Sequence, residues 1–358
     1  MNKRFFLFLV LLNSIASAIT GQIPENHTSK STGLNNGSIN CFVYHRFGDD
    51  RYPSTNISVE LFRKHLEYLK SNQFNLITFG EAAELLKKGA TIPEKTVCLT
   101  VDDGYTSFYK NALPLLKEFN FPATLFINTK QFGTGDFLTI QQLKEIATAG
   151  IEIGNHSHSH AQFVNFTESE RRDTFLHDLE MSHHIFNNQL EIEPTVFAYP
   201  YGEYTSELQQ VLNSYNYIGA AAQKSGVISV YSDKFALPRF PMAGPFANLE
   251  SFIRKANMKS LPTQPINKTE PLLQENPPTL LLKLFEPDKI NTSQLQCFVG
   301  GQKNCVVEYN ADQNVIKIWA TKPLQARRTL YTVTGPDAAN SDIWYWYSYL
   351  WIDPSIEE

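Results

Sequence analysis

The sequence predicts an α/β protein in which a parallel sheet precedes a smaller all-β region, and three observations predict it. Short apolar runs alternate with amphipathic stretches from Ile39 to about Phe240, which is typical of strands joined by crossover helices. Residues 255–280 then hold five of the nineteen prolines and few apolar runs. After them, short apolar segments recur at near-even spacing, as in a small antiparallel sandwich. The parallel sheet is expected to form either a barrel or an open sheet.

Periodicity and capping residues place the elements of the first part. Ser58 is suited to cap a helix whose apolar residues share one face, and two capping boxes, Thr139 with Gln142 and Thr167 with Glu170, predict two further helices. Strands are expected at Asn40–Tyr44, Thr96–Val101, Ala123–Asn128, Ile151–Gly154 and Thr195–Tyr199. Polar residues cluster directly after several of these strands, where α/β folds place their functional sites.

The first 18 residues are expected to be a secretory signal. Lys3 and Arg4 precede an apolar run that ends at Leu12, and Ala16-Ser17-Ala18 has the small-x-small form of a cleavage site. The run is too short for a permanent membrane span, and an uncleaved anchor is the alternative. Residues 19–39 are predicted to be a flexible leader. We therefore expect an exported protein, periplasmic or secreted, without a permanent membrane span.

The composition argues against a nucleic-acid partner. Of 358 residues, 42% are hydrophobic and 19% are charged, which is typical of a globular chain. The formal net charge is −5 and the pI is near 6.0. Because this balance provides no basic field for phosphates, a neutral or weakly charged substrate is favoured.

Four cysteines in an exported chain favour disulfide formation. Cys297 and Cys305 flank the turn-like Gly300-Gly301 and are predicted to form a disulfide. Cys41 and Cys98 lie on two predicted strands, where they either meet or remain buried thiols. Buried thiols are the favoured alternative, because free cysteine behaves as a small apolar group.

Two groups of polar residues carry the predicted chemistry. Asp102 and Asp103 follow a strand directly, and two adjacent carboxylates are costly unless a positive group lies beside them. His156 and His160 follow another strand and are four residues apart, so both imidazoles are able to face one ion, whereas His158 is expected to point elsewhere. A helix-capping carboxylate pair beside a polar loop is the alternative for each motif alone. Together they predict an open metal site of the hydrolytic kind.

Three motifs make the sequence similar to the NodB-type polysaccharide deacetylases, carbohydrate esterase family 4, over roughly residues 40–255. They are Thr100-Val101-Asp102-Asp103-Gly104, His156-Ser157-His158-Ser159-His160 and Tyr199-Pro200-Tyr201-Gly202. The resemblance implies a distorted (β/α) barrel of parallel strands, and metal-dependent removal of acetyl groups from sugars. With this domain at 40–255, a Pro-rich linker at 256–278 and a β-rich, sandwich-like accessory domain at 279–358 complete the predicted organisation.

The same resemblance implies a role for each motif residue. Asp102 matches the general base, and Asp103, His156 and His160 match the metal ligands. The backbone N–H of Tyr201 matches a donor to the oxyanion. The implied cofactor is a divalent metal ion, zinc in the first place, with cobalt or a similar ion as the alternative.

The third motif departs from the common family pattern, because Ala198 stands where an arginine usually orients the base. The segments around Ala198 and Tyr44-His45-Arg46-Phe47 resemble instead the branch of biofilm poly-N-acetylglucosamine deacetylases. That branch implies His45 as the general acid, whereas the residue alone, without the resemblance, favours a hydrogen-bonded core histidine. Arg239 is the candidate to replace the missing partner of Asp102.

The sequence thus predicts a hydrolase that removes N-acetyl groups from N-acetylglucosamine units of a polysaccharide, with a metal-activated water, an aspartate base and a histidine acid. A peptidoglycan or chitooligosaccharide deacetylase and an O-acetyl esterase are the alternatives within this class. A catalytically decayed glycan-binding protein is the alternative outside it. The aromatic run from Trp344 to Tyr349 is expected to be mainly sandwich core, with some rings left for glycan contact.

Overall fold

The computed structural model describes residues 37–266 and 270–357. Its first part is a sheet of parallel strands with helices packed on it. The first ten strands are β1 (Ile39–Tyr44), β2 (Arg46–Phe47), β3 (Asn56–Ile57), β4 (Asn75–Ile77), β5 (Thr96–Val101), β6 (Thr124–Ile127), β7 (Glu152–Asn155), β8 (Val196–Ala198), β9 (Gly219–Ala221) and β10 (Phe240–Pro241). Every residue of β1 and β5 is buried, as expected for parallel strands that are covered on both faces.

The main sheet has the order β10-β1-β5-β6-β7-β8-β9, with β4 beside the first half of β5, and all its pairs are parallel. Strands β2 and β3 form a separate pair. Ala221 at the end of β9 bridges in parallel to Leu237, and the chain then enters β10 at the opposite edge. The sheet is therefore a curled half-barrel, in agreement with the predicted fold class.

Within the described ranges, seven α-helices accompany the strands: α1 (Val59–Ser71), α2 (Phe79–Lys88), α3 (Leu113–Phe119), α4 (Ile140–Thr148), α5 (Glu168–Ile185), α6 (Ser206–Ser214) and α7 (Leu249–Ala256). Ser58 caps α1, and the Thr139–Gln142 capping box of α4 is confirmed. The box predicted at α5 is wrong. Thr167 is the N-cap, but its hydroxyl donates to Glu170 Oε2 at 2.7 Å and accepts no backbone N–H, so the reciprocal pair does not form.

The C-terminal region is a sandwich of two four-stranded sheets. Its strands are β11 (Lys259–Ser260), β12 (Thr263–Pro265), β13 (Thr279–Leu284), β14 (Gln296–Val299), β15 (Cys305–Asn310), β16 (Val315–Ala320), β17 (Arg328–Pro336) and β18 (Trp344–Ile352). One sheet has the order β11-β18-β17-β14 and the other β12-β13-β16-β15. The segment 256–278, expected to be a linker, thus supplies one edge strand to each sheet. Both sheets share a compact unit with the parallel sheet.

The cysteines behave as the sequence predicts. Cys297 and Cys305 form a disulfide with an S–S distance of 2.05 Å. Cys41 and Cys98 lie directly opposite one another in the β1–β5 pair and are both free and buried. Burial raises the pKa of the Cys98 thiol well above its usual value, because a thiolate there loses its hydration.

The predicted signal at residues 1–18 lies outside the described residues, as does all but the end of the predicted leader. Within residues 37–266 and 270–357, no helix combines the length and the apolar character that a membrane crossing requires.

Candidate active site

The candidate site lies at the carboxyl ends of neighbouring parallel strands. His45 follows β1, Asp102 and Asp103 follow β5, and His156 follows β7. The Tyr199–Gly202 motif follows β8, beside β7 in the same sheet. Because parallel strands end at one edge, residues far apart in sequence meet there.

Three of these side chains converge on one point. The Asp103 Oδ1 atom lies 3.5 Å from His156 Nε2 and 3.4 Å from His160 Nε2. One ligand atom from each residue falls within 4.8 Å of the other two. This is one carboxylate and two imidazoles around a shared space, the donor set that the sequence predicts for a metal ion.

The hydrogen bonds behind the cluster favour metal binding. His156 Nδ1 lies 2.7 Å from the Ala198 carbonyl oxygen, which only accepts, so Nδ1 carries a proton and Nε2 is the ring nitrogen that faces Asp103. His158 lies outside the cluster, as expected, and its Nδ1 is 2.9 Å from Thr129 Oγ1. The donors and their orientation therefore fit a divalent cation.

Asp102, the neighbour of Asp103, has a different partner. Arg239 donates from Nη1 to Asp102 Oδ1 and from Nη2 to Oδ2, both at 2.7 Å, and also from Nη1 to Thr100 Oγ1 at 3.1 Å. Arg239 is 1% exposed and Asp102 is 2% exposed. Such a planar, two-pronged pair fixes the carboxylate in orientation as well as charge. The arginine partner of Asp102 thus comes from the segment before β10 and not from position 198, where Ala198 stands.

The electrostatics of the two carboxylates follow from these partners. Burial, the largest single effect, raises the pKa of Asp102, but the charge and hydrogen bonds of Arg239, together with the positive forms of His156 and His45, bring that pKa below its usual value. Burial likewise raises the pKa of Asp103, and hydrogen bonds from His156 and His160 bring it well below its usual value. Both carboxyl groups are therefore ionised at neutral pH.

The backbone at the site is strained in a way that the motifs do not reveal. Asp103, His160 and Tyr201 have φ angles of 75°, 57° and 58°, the left-handed region that residues with a side chain rarely adopt. Each lies in one of the three motifs. Strain of this kind persists where the surrounding structure holds it, and it is common at functional sites.

His45 lies half-buried on the same groove as both aspartates. Its positive form lowers the pKa of both aspartates, which places the ring near them. Within the described part of the chain its ring makes no hydrogen bond, unlike the fully buried His65, which bonds Tyr44 and Ala247. The position of His45 is that of a group facing the groove rather than of a core histidine.

A groove of about 1560 Å³ contains the site, and its second wall comes from the C-terminal sandwich. The wall residues on β14, β17 and β18 alternate with core residues, as the period of two requires. Those facing the groove are Gln296, Phe298, Arg328, Leu330, Thr332, Thr334, Trp344 and Trp346. Those facing the sandwich core include Cys297, Val299, Tyr331, Val333, Tyr349 and Trp351.

The sequence predicts both core packing and glycan contact for the aromatic run from Trp344 to Tyr349. The alternation shows which rings face the core and which face the groove. Tyr349 and Trp351 are buried in the sandwich core, whereas Trp344 and Trp346 line the groove. The Trp346 ring packs against Phe240 of β10 at 6.0 Å between centroids, which joins the two walls. The sequence pattern does not indicate that this wall, or Arg328 within it, belongs to the site.

The amino-acid sequence matches the polysaccharide deacetylase family over residues 89–220. That span holds the carboxylate and histidine motifs and reaches the start of β9. The chain carries a polysaccharide deacetylase domain of the NodB type.

Two relatives illustrate the similarity of the deacetylase domain. YxkH of Bacillus subtilis, whose name assigns it provisionally to the polysaccharide deacetylases, is 29% identical over 55% of this chain and 68% of its own length. The poly-β-1,6-N-acetyl-D-glucosamine N-deacetylase of Escherichia coli K12 is 28% identical over 67% of this chain. The chain spans only 43% of the length of that E. coli protein.

A solved structure agrees with the fold. The Streptococcus pyogenes deacetylase PplD, in complex with acetate, superposes with a TM-score of 0.56 at 22% identity, covering 61% of this chain and 98% of that one. The distorted barrel of parallel strands predicted for the deacetylase domain is thus confirmed as a half-barrel, and the C-terminal sandwich is additional to it.

Proposed function

We propose that this chain removes N-acetyl groups from N-acetylglucosamine units of a polysaccharide. The observation that carries the proposal is the pairing of two differently held carboxylates at one strand end. Asp103 faces two imidazoles and Asp102 faces a guanidinium, so one carboxylate is suited to a metal and the other to proton transfer. The name of the E. coli relative supports N-acetylglucosamine as the sugar.

Asp103, His156 and His160 would hold the divalent cation, zinc in the first place with cobalt as the alternative. Bound there, such an ion supplies Lewis acidity, which polarises the acetyl carbonyl and makes water a nucleophile near neutral pH. The remaining steps belong to residues of the chain.

Asp102 acts as the general base in this proposal. Its carboxylate accepts a proton from water while the water oxygen bonds to the acetyl carbonyl carbon. Arg239 keeps the Asp102 carboxylate ionised and fixes its orientation, because both terminal nitrogens of the guanidinium donate hydrogen bonds to it. The buried pair also excludes bulk water from competing for those bonds.

The Tyr201 N–H donates to the oxyanion that forms on the former carbonyl oxygen. His45, protonated, then gives its proton to the sugar nitrogen as the carbon–nitrogen bond breaks. The products are acetate and a glucosamine unit with a free amine. Base and acid are different residues because one must begin ionised and the other protonated.

The size and lining of the groove support a polymeric substrate. At about 1560 Å³ it exceeds the roughly 300–1000 Å³ of ordinary small-molecule pockets, so it has room for more than one sugar unit. Trp344, Trp346 and Phe298 offer ring faces along one wall. Aromatic rings pack well against the apolar faces of sugars, and the polar rim leaves sugar hydroxyls hydrated.

We also propose that the protein works outside the cytoplasm. The Cys297–Cys305 disulfide supports this, since such bonds persist in oxidising compartments.

The test is acetate release from β-1,6-linked N-acetylglucosamine oligomers by the full chain, with and without a chelator. The proposal expects release that stops with chelator and returns with added zinc or cobalt. Chitooligosaccharides, peptidoglycan fragments and O-acetylated sugars form the comparison panel. Faster release from any of these would reassign the substrate, and stoichiometric oligomer binding without acetate would make the chain a glycan-binding protein.

A further inference from the structure

The turn that carries Tyr201 is a strained structure. Tyr201 and Gly202 follow one another with φ angles of 58° and 69°, so two successive residues are left-handed. Any side chain at position 202 would collide with Gln223, whose atoms lie as close as 2.0 Å to the place of its Cβ. A turn with this geometry needs contacts from outside itself to stay in place.

Arg328, the first residue of β17, supplies such a contact. Its Nη1 donates to the Tyr201 carbonyl oxygen at 2.7 Å and to Gln223 Oε1 at 3.3 Å. The guanidinium also lies 5.9 Å from the centre of the Tyr201 ring. One side chain of the C-terminal sandwich therefore holds both the turn and the residue packed beneath it.

The residue after the turn is anchored by the neighbouring arginine. Arg327 donates from Nε to Glu203 Oε1 at 2.7 Å and from Nη2 to Oε2 at 2.8 Å. Arg328 Nε lies 4.0 Å from the same Glu203 oxygen. Arg327 and Glu203 are both buried, so this pair is shielded from solvent and fixes the sandwich against the turn.

We propose that Arg328 is a positioning residue for deacetylation, acting through Tyr201. The carbonyl and the N–H of Tyr201 are separated only by the two backbone rotations of that residue. Holding the carbonyl therefore restricts the direction in which the N–H points. The inference rests on the proposed function, in which that N–H donates to the oxyanion, and it makes the C-terminal sandwich part of the active site.

Kinetics of the full chain test the proposal. Arg328→Met is expected to lower kcat by about ten- to a hundredfold with little change in KM or metal content, because losing a whole oxyanion donor costs roughly 10²–10³. Arg328→Lys keeps one donor and is expected to recover part of the loss. Arg172→Met, at an exposed arginine of α5 outside the groove, is the charge-matched control and should leave kcat unchanged.

A substrate with a more stable oxyanion separates positioning from simple damage. A trifluoroacetyl group lowers the need for the oxyanion donor, so Arg328→Met should lose less activity on N-trifluoroacetylglucosamine oligomers than on acetyl ones. An equal loss on both substrates, or a rise in KM alone, would overturn the proposal. The second outcome would mean that Arg328 contacts the glycan itself.

Hydrogen exchange tests the same contact without any turnover. In Arg328→Met, the backbone amides of Tyr199 and of residues 201–204 are expected to exchange at least fivefold faster, with no change in Arg172→Met. Unchanged exchange in these amides would contradict the proposed positioning. Failure of wild-type acetate release, by contrast, would reject the proposed function while the exchange result still reports on the Arg328 contact.

Discussion

The two walls of the groove are built on different principles. The deacetylase wall consists of loop residues at parallel strand ends, with one buried and one half-buried carboxylate, two imidazoles and left-handed backbone in three short motifs. The sandwich wall is the regular face of an antiparallel sheet, whose groove-facing residues alternate with core-facing ones. Apart from Gln296 and Arg328, its groove-facing strand residues are aromatic, aliphatic or hydroxyl-bearing. In the proposed function, one wall carries the groups that change protonation or hold an ion, and the other carries the surface that binds the glycan.

The difference between the two walls predicts which kinetic constant a substitution on each wall should change. Substituting a residue of the deacetylase wall is expected to lower the rate of the chemical step, because the partners of that residue are few and fixed. A groove-facing ring of the sandwich wall should change binding, since its contacts with sugar are alike in the ground and transition states. Arg328 would be the exception, as a sandwich residue whose proposed effect is on the chemical step.

The largest effect is expected from His156→Ala. Removing this imidazole takes one of three ligands from the cluster and leaves the Ala198 carbonyl without its donor. We expect loss of stoichiometric metal and a fall in kcat of at least about 10³-fold, since metal activation of water is lost. Metal analysis beside acetate release measures both. Retained metal with lost turnover would move His156 from the metal side to the proton-transfer side.

Asp102→Asn is expected to separate chemistry from metal binding. The substitution preserves shape but removes the acceptor for the water proton, and general bases typically contribute 10²–10⁴-fold. Metal content should equal that of the unchanged protein, while kcat falls within that range. Loss of metal to the same degree as in His156→Ala would show that Asp102 is itself a ligand.

Arg239→Lys should give a smaller loss on the same wall. Lysine keeps the charge beside Asp102 but not the two parallel hydrogen bonds, so the carboxylate loses orientation rather than ionisation. We expect kcat to fall about tenfold with unchanged metal content. A kcat equal to that of the unchanged protein would remove the orienting role from Arg239.

The smallest effect is expected from Trp344→Ala, on the sandwich wall. An aromatic contact is worth about 0.5–1.5 kcal/mol, so KM for long oligomers should rise roughly two- to tenfold with kcat unchanged. Short oligomers that do not reach this ring should be unaffected. Trp319→Ala, on a sandwich strand outside the groove, is the matched tryptophan control. An unchanged KM for long oligomers would exclude a glycan contact at Trp344.

Much of the deacetylase wall was predictable because its chemistry lies in short motifs. Adjacent carboxylates after a buried strand and histidines four residues apart suffice to predict the cluster of Asp103, His156 and His160. The pairing of Asp102 with Arg239 spans 137 positions and was expected only through the absence of arginine at Ala198. No sequence signal predicts the left-handed backbone of Tyr201, because glycine is the residue that readily adopts this conformation and position 201 is a tyrosine.

The sandwich was predictable as an architecture but not as a wall of the site. Alternation in β17 and β18 shows two faces, yet which face meets the deacetylase domain depends on docking that the sequence pattern does not encode. The prolines of residues 256–278 favour a linker, so β11 and β12 were not predicted from the sequence. Both are edge strands, where the missing N–H of a proline such as Pro265 is tolerated.

The central claim is that one divalent cation is held by Asp103, His156 and His160 while Asp102 stays bound to Arg239. Anomalous diffraction at the zinc edge, from crystals of the zinc-loaded chain, tests it most directly. We expect a single strong peak within bonding distance of those three side chains, with Asp102 still paired to the guanidinium. A peak on Asp102, or zinc bound only elsewhere in the molecule, would contradict the division of labour between the two aspartates.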